Sequence, residues 1–149
     1  MTTRQNWHLR KLSEAELDAL YTGRIEHDFP SAERPSLPAM HLHMQKGLQE
    51  ILMMTDGTQD AAYAVCAQAN GVVLVTLLAV FKENRGGGHG SMLLELLRKH
   101  YMEKRAILLE VEDPKDAGVS ADETIRIKRI AFYERNGYRF LEGIDHHSF

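Results

Sequence analysis

Six consecutive residues, Arg85-Gly86-Gly87-Gly88-His89-Gly90, concentrate the most chemistry in this chain. They stand just before an amphipathic helix pattern. Without Cβ atoms in the way, several backbone amides can converge on one point, and the start of the helix adds the positive end of its dipole. That is an anion site, and Arg85 adds a fixed positive charge beside it. The same pattern also makes an ordinary flexible turn. It is not a P-loop, because no Gly-Lys-Ser/Thr closes it. Nor is it a dinucleotide fingerprint, because its glycines do not follow a short strand that opens a βαβ unit at the chain start.

Carboxylates form a second group. Glu110 and Glu112 are two apart on an expected strand and so share one face, with Leu109 and Val111 on the other. Acids on a strand near the end where α/β sheets bind ligands either accept a proton or hold a cation, or they pair with Arg126 or Arg129 of the following helix. Glu26, Asp28, Phe29 and Glu33 lie in an acidic stretch that suits a cationic amine or a basic peptide end, or else is a solvated loop. The pair His41-x-His43 lacks a cysteine or carboxylate at ligand spacing, and His146-His147 reads as part of a mobile tail, so no metal is expected.

Composition narrows the partners. The 149 residues are 44% hydrophobic and 26% charged, which suits one domain over residues 1–149 with a full core. A net charge of −3 with no long basic run argues against nucleic acid. The single cysteine, Cys66, excludes an intramolecular disulfide and reads as a core residue in a reducing compartment. The longest apolar segment, 72–81, is about half the ~20 residues needed to span a bilayer, and the first residues lack a secretory pattern. A cytoplasmic protein without a membrane partner is the expectation.

These groups need elements to position them. Residues 7–12 read as a strand, and Ser13 with Glu16 as a capping box opening a helix that Pro30 stops. A loop with three prolines leads into a second short helix through Met40 and Met44. Strands are expected at 50–54, 61–69 and 72–81, with turn signals Asp56-Gly57 and Asn70-Gly71 between them. Asn-Gly suits a tight hairpin. The nearly continuous apolar run 72–81 predicts a central strand buried on both faces. A helix then carries Met92, Leu93, Leu96, Leu97 and Tyr101, followed by a strand at 106–112. A last helix runs from Ser120, boxed with Glu123, to Asn136-Gly137, and a strand follows at 138–141. The sum is an α/β fold: a mixed, mostly antiparallel central sheet flanked by helices on both faces.

Two stretches resemble the GNAT acetyltransferase superfamily. Arg85, Gly88 and Gly90 match its Arg/Gln-x-x-Gly-x-Gly/Ala motif, and Phe132-Tyr133-Glu134-Arg135-Asn136-Gly137-Tyr138 resembles its late aromatic-Tyr-Glu-x-x-Gly-aromatic motif. Both lie in the family's order, and with the elements the resemblance covers residues 7–141. It implies an acetyl-CoA-dependent N-acetyltransferase in which a primary amine attacks directly in a ternary complex. By the same analogy Leu78, Ala79 and Val80 bind the pantetheine arm, while Arg85, Gly86, Gly87, Gly88, His89, Gly90 and Ser91 hold the pyrophosphate. Tyr133 matches the tyrosine acid that serves the leaving thiolate, although its residue type also suits a core aromatic; Glu110 or Glu112 is the candidate base. Glu26, Asp28, Phe29 and Glu33 fall where the family shapes its acceptor pocket. Two departures stand out. Arg126 replaces an asparagine common seven residues before the tyrosine, and no counterpart of the family's last strand precedes Phe149. Both leave, as the alternative, a catalytically weak or inactive GNAT-like domain that binds acyl-CoA as a sensor. The second makes a homodimer plausible, with a partner subunit completing the sheet.

Overall fold

The computed structural model describes residues 6–109 and 120–138, with the side chains of 120–126 and 129 outside the described set. The chain divides into two compact units, Met1–Leu108 and Leu109–Phe149. In the first, β1 (His8–Lys11) leads to α1 (Glu14–Leu20), a π-helical turn (Tyr21–Ile25) and the single turn α2 (Glu26–Asp28). Then come α3 (Leu37–Gln45), β2 (Gln49–Thr55), β3 (Asp60–Ala69), β4 (Val72–Val80), a short 3-10 turn (Lys82–Asn84), α4 (His89–His100) and β5 (Ala106–Leu109). The second unit holds α5 (Ser120–Arg135).

Local chemistry explains the boundaries. The Ser13 amide donates to Glu16 Oε1 at 3.0 Å, which satisfies the backbone as it enters α1. Phe29 turns extended ahead of Pro30, so the helical run ends where proline removes the next donor. Ser36 caps α3 by accepting from the Ala39 amide at 3.3 Å, with Pro38 in the first turn where its missing donor costs nothing. Asn70 and Gly71 both take positive φ, 54° and 78°, the pair of angles that a two-residue hairpin of matching twist requires.

The sheet has the order β1-β2-β3-β4-β5, and the first three pairings are antiparallel. One face carries Ile51, Met53, Tyr63, Val65, Leu77 and Ala79 against Leu17, Leu20, Tyr21 and Ile25 of the first helical run and Met40 of α3. The other face carries Glu50 and Cys66, and α4 packs there through buried Leu93, Leu94 and Leu97, with buried Tyr101 just beyond its end. Helices therefore flank both faces, as expected.

β4 departs from expectation in an instructive way. It neighbours both β3 and β5, but its residues alternate between buried and half-buried rather than being buried throughout. Opposite Val65 lies Leu77 and opposite Cys66 lies Val75, so Thr76 is an extra residue, its hydroxyl donating to the Val65 carbonyl at 3.2 Å. Such a bulge flips the strand. Val73 and Val75 share the face of Cys66, while Leu77 and Ala79 share the face of Tyr63. One strand thus serves both apolar layers, half of its length each, and the unbroken apolar run follows from that. Strand 106–112 is described to Leu109; Glu110 and Glu112, and strand 138–141 beyond Tyr138, lie outside the described residues, as does the side-chain box of Ser120 and Glu123. Among the described residues no helix is long and apolar enough to cross a membrane.

Candidate active site

At the end of β4 the chain makes one 3-10 turn and enters the glycine loop. Gly86 and Gly88 take φ of 89° and 80°, angles that L side chains rarely adopt, and Gly88 is the N-cap of α4. A Cβ on Gly87 would stand 2.9 Å from Cε1 and 3.0 Å from Nδ1 of His89. The His89 ring is folded back over the loop: Nδ1 donates to the Asn84 carbonyl at 2.8 Å, and the ring meets Trp7 edge to face at 5.3 Å between centroids. His89 therefore holds the loop's shape from behind. The first intrahelical bond is Met92 to the Gly88 carbonyl, and among the described residues the amides of 86–91 have no acceptor. Gly86, Gly87 and Gly88 are exposed, so these donors face solvent at a helix N-terminus. An exposed, preshaped row of amides with room beside it is what a pyrophosphate needs, and the residues fit that group.

Arg85 is committed elsewhere. Its Nε donates to the Val80 carbonyl at 3.3 Å, and its Nη2 stands 3.8 Å from Asp28 Oδ1. Leu78 and Val80 are half-buried and Ala79 is buried, with Ala79 opposite Tyr63 on β3. Tyr63, fully buried, sends its hydroxyl to Asp28 Oδ2 at 2.7 Å. Burial, and then the carboxylate beside it, push the Tyr63 phenol well above its ordinary range, so it stays a proton donor. Sequence reasoning passed over Tyr63, whose one signal was a lone phenol in a run of alanine and valine.

The neighbouring wall is polar but neutralised. Arg24 makes two 2.9 Å bonds to Glu83 and lies 3.6 Å above the Phe81 ring, and its hydrogen bonds hold the Glu83 carboxyl down to about 2. Arg34 donates to the Phe29 carbonyl at 2.6 Å and to the Glu26 carbonyl at 3.3 Å. Of the acidic stretch, Asp28 comes to the loop, where the structure pairs it with Arg85. Glu26 and Glu33 are exposed, and Phe29 is half-buried against the core. His41, set aside as a metal ligand, lies between Glu14 Oε2 at 2.7 Å and Asp18 Oδ1 at 2.6 Å. Among the described residues no group of three or more ligating side chains could hold a metal.

In the second unit Tyr133 is half-buried on α5, its ring 5.6 Å from Phe132 and 6.5 Å from Tyr138. The Tyr133 carbonyl accepts from the amides of Asn136 and Tyr138, both at 3.1 Å, and Gly137 takes φ of 90°, so the helix ends at the glycine cap that the sequence announces.

No family model and no curated protein matches this chain. Solved structures do. A GNAT-family protein from Bacteroides thetaiotaomicron superposes with a TM-score of 0.72 at 20% identity, over 93% of this chain and 81% of that one. The ribosomal-protein-S18-alanine N-acetyltransferase from Escherichia coli gives 0.65 at 22%, over 91% and 79%. AAC(6')-Iy, solved with a CoA-linked bisubstrate analog of acetylneamine, gives 0.60 at 15%, over 94% and 95%. At these identities the likeness concerns architecture, and it matches what the two motifs imply. The chain has the fold of the GNAT acetyltransferases.

Proposed function

We propose that this protein is an N-acetyltransferase that moves an acetyl group from acetyl-CoA to a primary amine by direct attack in a ternary complex, in one domain and in the cytoplasm. The observation that carries the reading is the row of acceptor-free amides at 86–91, preshaped by two positive-φ glycines and the His89–Asn84 bond at the end of a core strand. It stands on the fold that solved GNAT proteins share.

Acetyl-CoA would supply an activated thioester carbonyl. The loop amides and Arg85 would hold its phosphates, and backbone groups of Leu78, Ala79 and Val80 its pantetheine arm. Binding spent on these remote parts fixes the reacting atoms and lowers the entropic barrier. An amide near Ala79 or Val80 would face the developing oxyanion. Tyr133 would hold a proton for the departing sulfur, and Glu110 or Glu112 would accept one from the amine. Asp28, with Glu26, Phe29 and Glu33 around it, would meet the acceptor, a small-molecule or peptide amine.

The test is thermal unfolding with acetyl-CoA and, separately, ATP, since a ligand that binds only the folded chain raises its melting temperature. Acetyl-CoA alone raises it. Tyr133→Phe keeps that rise and loses thiol release; a variant with full turnover removes Tyr133 from the chemistry, and absence of any rise in the wild type removes the reading.

A further inference from the structure

We propose that Asp28 is the anchor for a cationic group of the acceptor, and that Arg85 covers it until the pyrophosphate of CoA draws the guanidinium away. This deepens the acetyltransferase reading and rests on it for the identity of the anion.

Among the described residues the protein's own donors engage the Asp28 carboxylate at one oxygen. The Asp28 side chain is 13% exposed, yet only Oδ2 receives a hydrogen bond, from Tyr63. Among the described residues Oδ1 receives none, and its cation, Arg85 Nη2, stays at 3.8 Å, outside hydrogen-bond reach. A carboxylate has about four acceptor positions, and the protein's described donors engage Oδ2 alone, which leaves Oδ1 able to take a further donor. The other guanidiniums nearby are taken: Arg24 by Glu83 and Phe81, Arg34 by two backbone carbonyls. Tyr63 fixes the carboxylate to the sheet directly opposite Ala79, so the open oxygen is held beside the end of β4.

Arg85 is built to leave. Its side chain is 57% exposed, and both of its contacts are long, 3.3 Å to the Val80 carbonyl and 3.8 Å to Asp28. A phosphate offers shorter, bidentate partners to the same fork. One movement of one side chain then frees two groups together: the Val80 carbonyl for the pantetheine arm and Asp28 Oδ1 for the acceptor's ammonium. The acceptor site is therefore completed by the cofactor, which makes binding ordered, CoA first.

Two measurements test this. CoA is titrated calorimetrically into wild type, D28N, R85Q and the double variant. With its ion pair gone, Arg85 serves the phosphate undivided, so D28N binds CoA about threefold to tenfold tighter, R85Q binds it more weakly, and D28N adds nothing in the R85Q background. A wild type that binds no CoA overturns the functional reading itself; a wild type that binds CoA while D28N binds it equally or more weakly overturns the Arg85 coupling alone. The second measurement needs no variant. The 13Cγ resonance of Asp28 is followed while 1,4-diaminobutane is added, with 1,4-butanediol as the neutral control. With CoA present the diamine moves the resonance at about one tenth of the concentration needed without CoA, and the diol does nothing. No response to the diamine overturns the anchor, and an equal response with and without CoA overturns the cover by Arg85.

Discussion

Asp28 and Glu50 are withdrawn from solvent to the same degree, each with a side chain 13% exposed, and each is reached by a buried tyrosine. They occupy opposite faces of the sheet and opposite conditions. Glu50 takes the Tyr101 hydroxyl and Gln68 Nε2 at 2.8 Å, has His100 Nε2 at 3.5 Å, and keeps Lys11 Nζ at 3.9 Å from its other oxygen. Burial pushes the Cys66 thiol beside this network up to about 12, so it is an inert core group. Asp28 has one hydrogen bond and one loose cation. Equal burial with unequal satisfaction separates an acid that holds the molecule together from an acid that waits for something. The more heavily bonded one knits α4's end to two strands through a single oxygen; the other stands beside the loop.

The sharpest way to break this contrast is to replace each acid by its amide. Asp28→Asn lowers kcat/KM by about 10- to 100-fold, mostly through KM, as expected for loss of one charge-assisted hydrogen bond to a cation. Glu50→Gln leaves kcat/KM within about twofold but lowers unfolding free energy by about 1–3 kcal/mol, read from denaturant midpoints, because buried donors lose their acceptor. The reverse pattern ends the distinction. A smaller effect comes from Gly87→Ala. Its Cβ pushes the His89 ring off the Asn84 carbonyl, and CoA affinity falls about fivefold, the worth of one hydrogen bond that shapes the loop, while the Glu50 network is untouched. Titration calorimetry reads it.

The smallest effect concerns acids that have their cation in the open. His41 ties α3 to α1 by facing Asp18 and Glu14, and these bonds raise its pKa above 6.5, Asp18 first, while the His41 bond lowers that of Glu14 below 4.5. A raised base stabilises fully below 6.5 and less as pH climbs through its folded value. A lowered acid stabilises above 4.5 and less as pH falls through its own. The clamp is thus strongest between about pH 4.5 and 6.5. His41→Gln lowers the melting temperature most in that window, and the gap to wild type closes at higher pH. A gap that widens with rising pH contradicts the pairing.

Much of this was legible beforehand. Asn70-Gly71 announces its hairpin because few residues accept two positive φ angles in succession. Ser13 with Glu16 and Asn136-Gly137 announce helix ends for equally local reasons, and the triple glycine announces an amide-rich turn. What stayed hidden is what depends on partners distant in sequence. The bulge at Thr76 is a matter of register between two strands, and nothing in the run 72–81 marks it. Tyr63 reads as one more core aromatic until Asp28, 35 residues earlier, is set against its hydroxyl. Arg85 reads as a phosphate ligand, and its hold on Val80 and Asp28 is visible only once the 3-10 turn has folded it back.

The π-helical turn at Tyr21–Ile25 carries one residue more per turn than the α-helix around it. In an α-helix each residue advances the bearing by about 100°. Chain length in that turn therefore sets the bearing from which Asp28 leaves the helix, and the Tyr63 hydroxyl then fixes its carboxylate. An insertion or deletion there re-aims the acid while leaving the glycine loop's own residues unchanged. On the proposed reading the acceptor's anchor and the cofactor's loop are written on separate stretches of chain, one tuned by counting residues and the other by their kind.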